Sequence, residues 1–313
     1  MLRVLTYHRV ADPRDTPMLH PGMISATPAI FAQQMKYLAK HYRVVSMAEV
    51  LQAVEQGAAL PRRAVLLTFD DAYHDFGDLA WPILRRYRLP VTLFVPTGYP
   101  NRPERAFWWD RLYQAITYTT QTVLRDTPLG LLPLATSEQR HTSLRRLQNA
   151  LKTMPHPEAV ALIEVVCTTL GVAPLLQRSV LTWEELRQLA NEGVTLGAHT
   201  QTHPVMTQLS PQQVRLEIAG SQQDLRREIG HVWPIFCYPS GHHDEVVLQV
   251  LQDEGFVLAF STLAGHNDLH AVDLLRLRRI NITRRSSQPI FRLRLLRVGA
   301  YLDMWRRRKQ RRY

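Results

Sequence analysis

The sequence predicts an α/β fold, a distorted (β/α) barrel of the TIM type with about seven or eight strands and a helical insertion. Three observations lead there. Short β-type runs alternate with helical stretches. The most apolar run, Ala64-Val65-Leu66-Leu67-Thr68-Phe69, has the continuous hydrophobicity of a strand buried on both faces. About seven or eight such units fit into roughly 290 residues, the size of a single barrel.

In chain order, Val4-Leu5-Thr6-Tyr7 is the first strand. A helix over Pro28 to Lys40 follows, because Phe31, Met35 and Leu38 recur on one face. Tyr42-Arg43-Val44-Val45 is the second strand and Ala64–Phe69 the third. A helix beginning near Asp78 ends at Leu89-Pro90, and Val91 to Val95 is the fourth strand. Later runs are Val194 to Gly197, Ile235 to Tyr238, Val257 to Phe260, and Leu275 to Ile282. Between Asn101 and about Ser179 no strand-like run stands out. Trp108 to Tyr118, Ser137 to Met154 and Pro157 to Leu170 show helical periodicity, an insertion large enough to cap the barrel mouth. The expected organisation is a barrel over residues 1–285, an insertion over about 101–179, and a basic tail or helix over 286–313.

Of the 313 residues, 45% are hydrophobic and 21% charged, which excludes a disordered chain, a collagen-like repeat and a small stapled scaffold. The net charge of +11 would suit a nucleic-acid binder if it were spread over the surface. It is not: residues 276–313 carry 14 basic residues and one acid, Asp303, leaving 24 basic and 26 acidic residues elsewhere. Two distant cysteines, Cys167 and Cys237, build no disulfide framework and favour a reducing compartment. The N-terminus lacks the apolar core and cleavage site of a signal peptide, and no run approaches the roughly 18 apolar residues of a membrane span. The expected location is therefore cytoplasmic, with peripheral membrane contact through the tail as an extension of that expectation.

The chemistry concentrates at predicted strand ends. Thr68-Phe69-Asp70-Asp71 places two carboxylates where a buried strand meets a loop, costly unless they are paired, hydrogen-bonded or metal-bound. An adjacent Asp pair is also a common turn or helix cap. Strand neighbours point to opposite faces, so both reach one site only if the chain bends there. His199-Thr200-Gln201-Thr202-His203 follows another strand, and two histidines four apart converge if the intervening residues make one helical turn. Together these give an Asp-His-His set suited to a catalytic divalent cation, with Asp70 left to take a proton from water. Phe236-Cys237-Tyr238-Pro239-Ser240-Gly241 reads as a βα turn that can also aim a backbone N–H at an oxyanion.

Thr-Phe-Asp-Asp, His-Thr-x-x-His and Tyr-Pro-x-Gly, in this order, resemble the motifs of the metal-dependent polysaccharide deacetylases, the NodB-homology family of carbohydrate esterases. Tyr7-His8-Arg9-Val10 also resembles the start of many members. The resemblance implies a distorted (β/α) barrel that removes acetyl groups from N- or O-acetylated sugars or their polymers. It implies Asp70 as general base, Asp71, His199 and His203 as ligands of Zn²⁺ (or Co²⁺, Ni²⁺ or Mn²⁺), and Tyr238 or Ser240 near the oxyanion. Tyr73 and His74, next to the Asp pair, are placed by adjacency to touch substrate.

The chain departs from the family pattern in three places. Ala72 stands where many members have Gly. Cys237 stands where many have an Arg that orients the base, and Arg279 on the last predicted strand is a substitute cation. The general acid has no clear motif; His242, His243, His266, His270 and His8 are the candidates. These departures motivate a rival reading, a catalytically impaired barrel that binds glycans or acts as a scaffold. Phe107-Trp108-Trp109 reads as packing at a helix start, with sugar stacking as the functional alternative. The tail, Phe291 through Tyr313, reads as a helix packed on the barrel or as an interfacial segment on an anionic membrane. No nucleic-acid partner is expected.

Overall fold

The protein is described by a computed structural model over residues 1–172 and 179–296. Eight strands form one parallel sheet: β1 (Arg3–Tyr7), β2 (Arg43–Val44), β3 (Ala64–Phe69), β4 (Thr92–Val95), β5 (Thr195–Ala198), β6 (Ile235–Cys237), β7 (Leu258–Phe260) and β8 (Ile280–Asn281). The order is β7-β6-β5-β4-β3-β1-β8, with β2 paired to the start of β3. The segment leading into β8 bonds to β7 through Leu277 and to β1 through Ile280 and Asn281, which curls the sheet back on itself. The fold expectation holds.

The α-helices are α1 (Pro28–His41), α2 (Met47–Glu55), α3 (Trp81–Tyr87), α4 (Trp108–Tyr118), α5 (Ser137–Leu151), α6 (His156–Leu170), α7 (Trp183–Asn191), α8 (Pro211–Ile229), α9 (Glu245–Asp253) and α10 (Gln288–Leu295). The local reasons are ordinary ones. In α1, Thr27 caps the N-terminus by accepting from Ile30 N–H, Pro28 opens the first turn, and Phe31, Met35 and Leu38 are buried. All six residues of β3 are buried, as its unbroken hydrophobicity requires.

Three expectations change. The helix expected from Asp78 begins as a π-helical turn over Phe76–Ala80, and α3 proper starts at Trp81, where Pro82 opens its first turn. The long final strand expected over Leu275 to Ile282 shrinks to Ile280–Asn281 behind a 3-10 turn over Leu274–Arg276, because the segment passes from one sheet neighbour to another. The insertion holds a short hairpin, Val123–Leu124 with Leu132–Pro133, besides its three helices. Leu112, Ile116, Leu147, Leu151, Leu162 and Val166 give α4, α5 and α6 a core of their own. Of the tail, α10 is described, and residues 297–313 lie outside the described residues.

Candidate active site

Asp70, Asp71, His199, His203 and Cys237 stand at or beyond the C-terminal ends of sheet strands, where βα loops gather in such folds, and Arg279 reaches them from the approach to β8. β3 hands the chain to Asp70, whose N–H still donates to the Tyr7 carbonyl at 3.0 Å. Asp71 and Ala72 then turn left-handed, with φ of +71° and +47°. Consecutive residues with a Cβ rarely adopt that conformation, so the surroundings must impose it. They do: Leu181 N–H donates to the Ala72 carbonyl, and His74 N–H to that of Ser179. The double turn is the bend that brings two adjacent carboxylates to one site.

Asp70 is 3% exposed and receives a two-pronged bond from Arg279, Nη1 to Oδ1 at 2.8 Å and Nη2 to Oδ2 at 2.7 Å. Arg279 is itself fully buried and donates from Nε to the Ser261 carbonyl at 2.8 Å. Burial pushes the Asp70 carboxyl up, but the guanidinium's charge and hydrogen bonds outweigh it and hold the group below the ordinary carboxylate value. Cys237 does not replace the missing arginine chemically. Its Sγ sits 3.5 Å from Asp70 Oδ2, and burial pushes its thiol up, so it stays protonated beside a carboxylate. The cation arrives from the other side, on the approach to β8.

His199 follows β5 directly, and its Nδ1 meets the Cys237 carbonyl at 2.7 Å, which leaves Nε2 facing the site. His203 reaches the same point by a different route from the helical turn expected. Thr200 and His203 both take positive φ, +63° and +58°, and the loop between them is braced from outside. Glu217 on α8 accepts from the Gln201 and Thr202 N–H groups and from the Thr202 hydroxyl, while Thr200 Oγ1 accepts from His203 N–H at 3.0 Å. Acidic and hydroxyl acceptors, rather than helix hydrogen bonds, converge the two imidazoles.

Asp71 Oδ1 lies 3.4 Å from His199 Nε2 and 3.3 Å from His203 Nε2, yet neither Asp71 oxygen has a hydrogen-bond partner, and the residue is 1% exposed. A buried carboxylate without partners is costly. Three N and O donors within 4.8 Å of one another are the coordination set of a single divalent cation, which fits the orphaned oxygens. Burial pushes Asp71 up, and the two imidazoles more than reverse it. Burial pushes His203 down to about 4, which keeps its ring neutral and able to ligate. A second trio, Asp70, His199 and Cys237, is equally close, but both Asp70 oxygens are already held by Arg279 and the thiol is not ionised. A cation beside that guanidinium would meet repulsion, so the Asp71 set is the one that fits.

The remaining expected residues separate. Tyr73 is 1% exposed; its hydroxyl accepts from Trp109 Nε1 at 3.0 Å and Arg9 lies 3.7 Å over its ring, so it underlies the site and does not face substrate. Tyr238 is fully buried, its hydroxyl donating to the Leu275 carbonyl at 2.7 Å and its N–H to that of Phe260, so neither group is free for an oxyanion. Ser240 is half-buried in a turn with φ of +56°, and no hydrogen bond among the described residues uses its N–H. Among the histidines, His8 Nε2 stands 3.9 Å from Asp70 Oδ2 with its side chain 26% exposed. His243 instead stacks on Tyr238, and His266 lies near the Arg294 carbonyl.

Sequence reasoning missed the joint between barrel and insertion. Buried Arg9 donates to Asp110 at 2.6 Å and lies 3.8 Å from Asp75, whose Oδ2 accepts from Val10 N–H. Phe107 and Trp109 stack at 4.5 Å, and the Trp109 ring meets His203 edge-on at 5.0 Å, so packing is the main role of this aromatic run. Trp108 is only half-buried. With Tyr99, Arg111, Ile163, Val205 and His203 it lines a cavity of about 220 Å³ between insertion and barrel.

The polysaccharide deacetylase family model matches residues 57–259. The chain is 34% identical over 95 residues to the poly-β-1,6-N-acetyl-D-glucosamine N-deacetylase of Escherichia coli, a match covering 30% of this chain and 13% of that relative's length. In fold it is similar to a Streptococcus pyogenes deacetylase solved with acetate, with a TM-score of 0.61 and 22% identity over 92% of this chain and 95% of that one. It is also similar in fold to IcaB from Ammonifex degensii, with a TM-score of 0.61 and 21% identity over 94% and 97% of the two chains.

Proposed function

The chain belongs to the polysaccharide deacetylase family, and from that premise we propose that it hydrolyses acetyl groups from an N-acetylated sugar polymer or its precursor. The observation that carries this reading is the ionised Asp70, locked by Arg279 beside the converging donors of Asp71, His199 and His203, of which the Asp71 oxygens are left without a hydrogen-bond partner. Asp71, His199 and His203 would hold Zn²⁺, with Co²⁺, Ni²⁺ and Mn²⁺ fitting the same donors. Such an ion, when bound, polarises the acetyl carbonyl and acidifies water.

In this reading the chain's own groups do the following. Asp70 accepts a proton from the attacking water, and the two-pronged bond to Arg279 keeps it ionised and aimed. The Ser240 N–H donates to the oxyanion that develops as the acetyl carbon becomes tetrahedral. His8, half-buried with Nε2 3.9 Å from Asp70 Oδ2, donates a proton to the sugar nitrogen as the C–N bond breaks, releasing acetate and a free amine. The sugar beyond the reacting residue lies in the cavity lined by Trp108. The activity for which the Escherichia coli relative is named, N-deacetylation of a β-1,6-linked N-acetylglucosamine polymer, favours N-acetyl over O-acetyl groups.

The test is acetate release from N-acetylglucosamine oligomers by the purified chain, with chelator and with Zn²⁺ or Co²⁺ restored. We expect chelator-sensitive release that metal rescues. Asp70→Asn should bind metal as wild type does and lose turnover, whereas His203→Ala should lose both. A chain that binds neither metal nor turns over any acetylated sugar would be a glycan-binding barrel instead.

A further inference from the structure

Helix α10 turns Phe291 and Leu295 into the core, where the Phe291 ring meets Tyr37 of α1 at 6.4 Å. Its outer side is not polar. Ile290, Leu293 and Leu296 are 38%, 42% and 52% exposed, and Pro289 beside them is exposed too. Apolar side chains gathered on one short element mark a contact surface rather than scattered exposure. The rim is cationic. Arg284, Arg285 and Arg292 are exposed on the same segment, and Lys36 and Lys40 are exposed on α1, against which α10 packs. Arg292 lies 4.7 Å over the Tyr37 ring, which holds its charge at the seam between the two helices.

No acidic residue occurs in the sequence between Asp273 and Asp303. The sequence beyond Leu296 continues the same composition, with Arg297, Trp305 and the run Arg306-Arg307-Arg308-Lys309-Gln310-Arg311-Arg312. The loop carrying Arg284 and Arg285 leaves β8 at the end of the barrel where His8 and Asp70 stand, and Arg284 is close enough to act electrostatically on Asp12 beyond β1.

We propose that this face docks on an anionic lipid bilayer. Ile290, Leu293 and Leu296 enter the boundary between headgroups and acyl chains, and the surrounding arginines and lysines pair with lipid phosphates. Charge alone would serve a nucleic acid equally, but an apolar ridge in the middle of the cationic face has no partner on a phosphate backbone. A second copy of the chain would set this positive face against itself. Nothing in the docking requires a spanning segment, and no helix among the described residues is long and apolar enough to cross a membrane. The docked chain would present its catalytic end near the lipid surface.

The experiment is co-sedimentation of the full chain with vesicles of phosphatidylcholine alone and of phosphatidylcholine with phosphatidylglycerol. The chain should pellet with the mixed vesicles, remain in solution with the neutral ones, and be released by salt. Each cation near such a surface is worth about fivefold in binding, so Arg284→Gln with Arg285→Gln should weaken partitioning by roughly 25-fold. Ile290→Ser with Leu293→Ser should weaken it by about tenfold or more. Both variants are on the surface, and their Tm and acetate release from a soluble oligomer should match wild type. Absence of binding by the full chain would overturn the proposal. So would binding that ignores both pairs of substitutions, which would assign it to residues 297–313 alone, or retention on duplex DNA in place of the vesicles.

Discussion

Replacing Arg279 with leucine tests the central electrostatic claim. The two nitrogen–oxygen distances of 2.8 and 2.7 Å put the charge centres about 4 Å apart, worth ~4 kcal/mol at an effective dielectric constant of about 20. Removing one partner of a buried ion pair costs about 3–5 kcal/mol, because the other charge is left behind, so the two routes agree. At roughly 2–4 °C per kcal/mol for a domain of this class, Tm should fall by about 10 °C. The sign with pH follows from Asp70. Its carboxyl is held below the ordinary value in the folded chain, so the pair's contribution is present above the ordinary carboxylate range and is lost as pH falls through the folded value. The stability gap between wild type and Arg279→Leu should therefore be widest at neutral pH and narrow in acid. In the variant, burial of Asp70 is opposed only by the weaker influence of His199 and His8, so the acid limb of the profile of kcat/KM should move to higher pH. Where Asp70 is protonated in the variant, the rate should fall about 100-fold or more, the scale of a lost general base. Arg279→Lys, which keeps the charge without the fork, should lie between. Denaturation curves and acetate release across pH measure both. A variant with the wild-type pH profile and only a lower Tm would refute the reasoning, reducing Arg279 to a packing residue.

Three further outcomes are expected. Burial pushes the Asp75 carboxyl up to about 6, so the folded state loses stability as pH rises from about 4 to 6; Asp75→Asn should remove that loss, a gain of up to about 3 kcal/mol at pH 7 relative to pH 4, read from denaturant midpoints. Arg9→Leu leaves Asp110 and Asp75 without the cation they share and should destabilise by about 3–5 kcal/mol, with limited proteolysis appearing first in the insertion between residues 101 and 172. Trp108→Ala should raise KM for long oligomers several-fold with little change in kcat and leave the shortest substrates unaffected, whereas an equal effect on all lengths would remove Trp108 from substrate binding.

What the sequence by itself determined is what depends on near neighbours. The alternation of apolar runs and helical stretches specified a curled parallel sheet, since a strand buried on both faces must be hydrophobic throughout, and β3 is. The boundaries of α4 and α6 came within a residue or so from helical periodicity alone, because the insertion carries its own apolar stripe. The residue types of the site were legible too: carboxylates and imidazoles at strand ends are costly unless chemistry retains them. Tertiary structure decided which of those groups meet. Arg279 and Asp70 are 209 residues apart, Arg9 and Asp110 101 apart, and no local spacing encodes either pair. The left-handed turns at Asp71, Ala72, Thr200 and His203 are imposed from outside by Leu181, Ser179 and Glu217, so residue-level preference argued against the conformation the site uses. Tyr73 and Tyr238 show the complementary limit. Adjacency in sequence placed them beside the chemistry, but both rings are buried, the Tyr73 hydroxyl accepting from Trp109 and the Tyr238 hydroxyl donating to the Leu275 carbonyl, and only the packed structure shows which side of a residue faces the solvent.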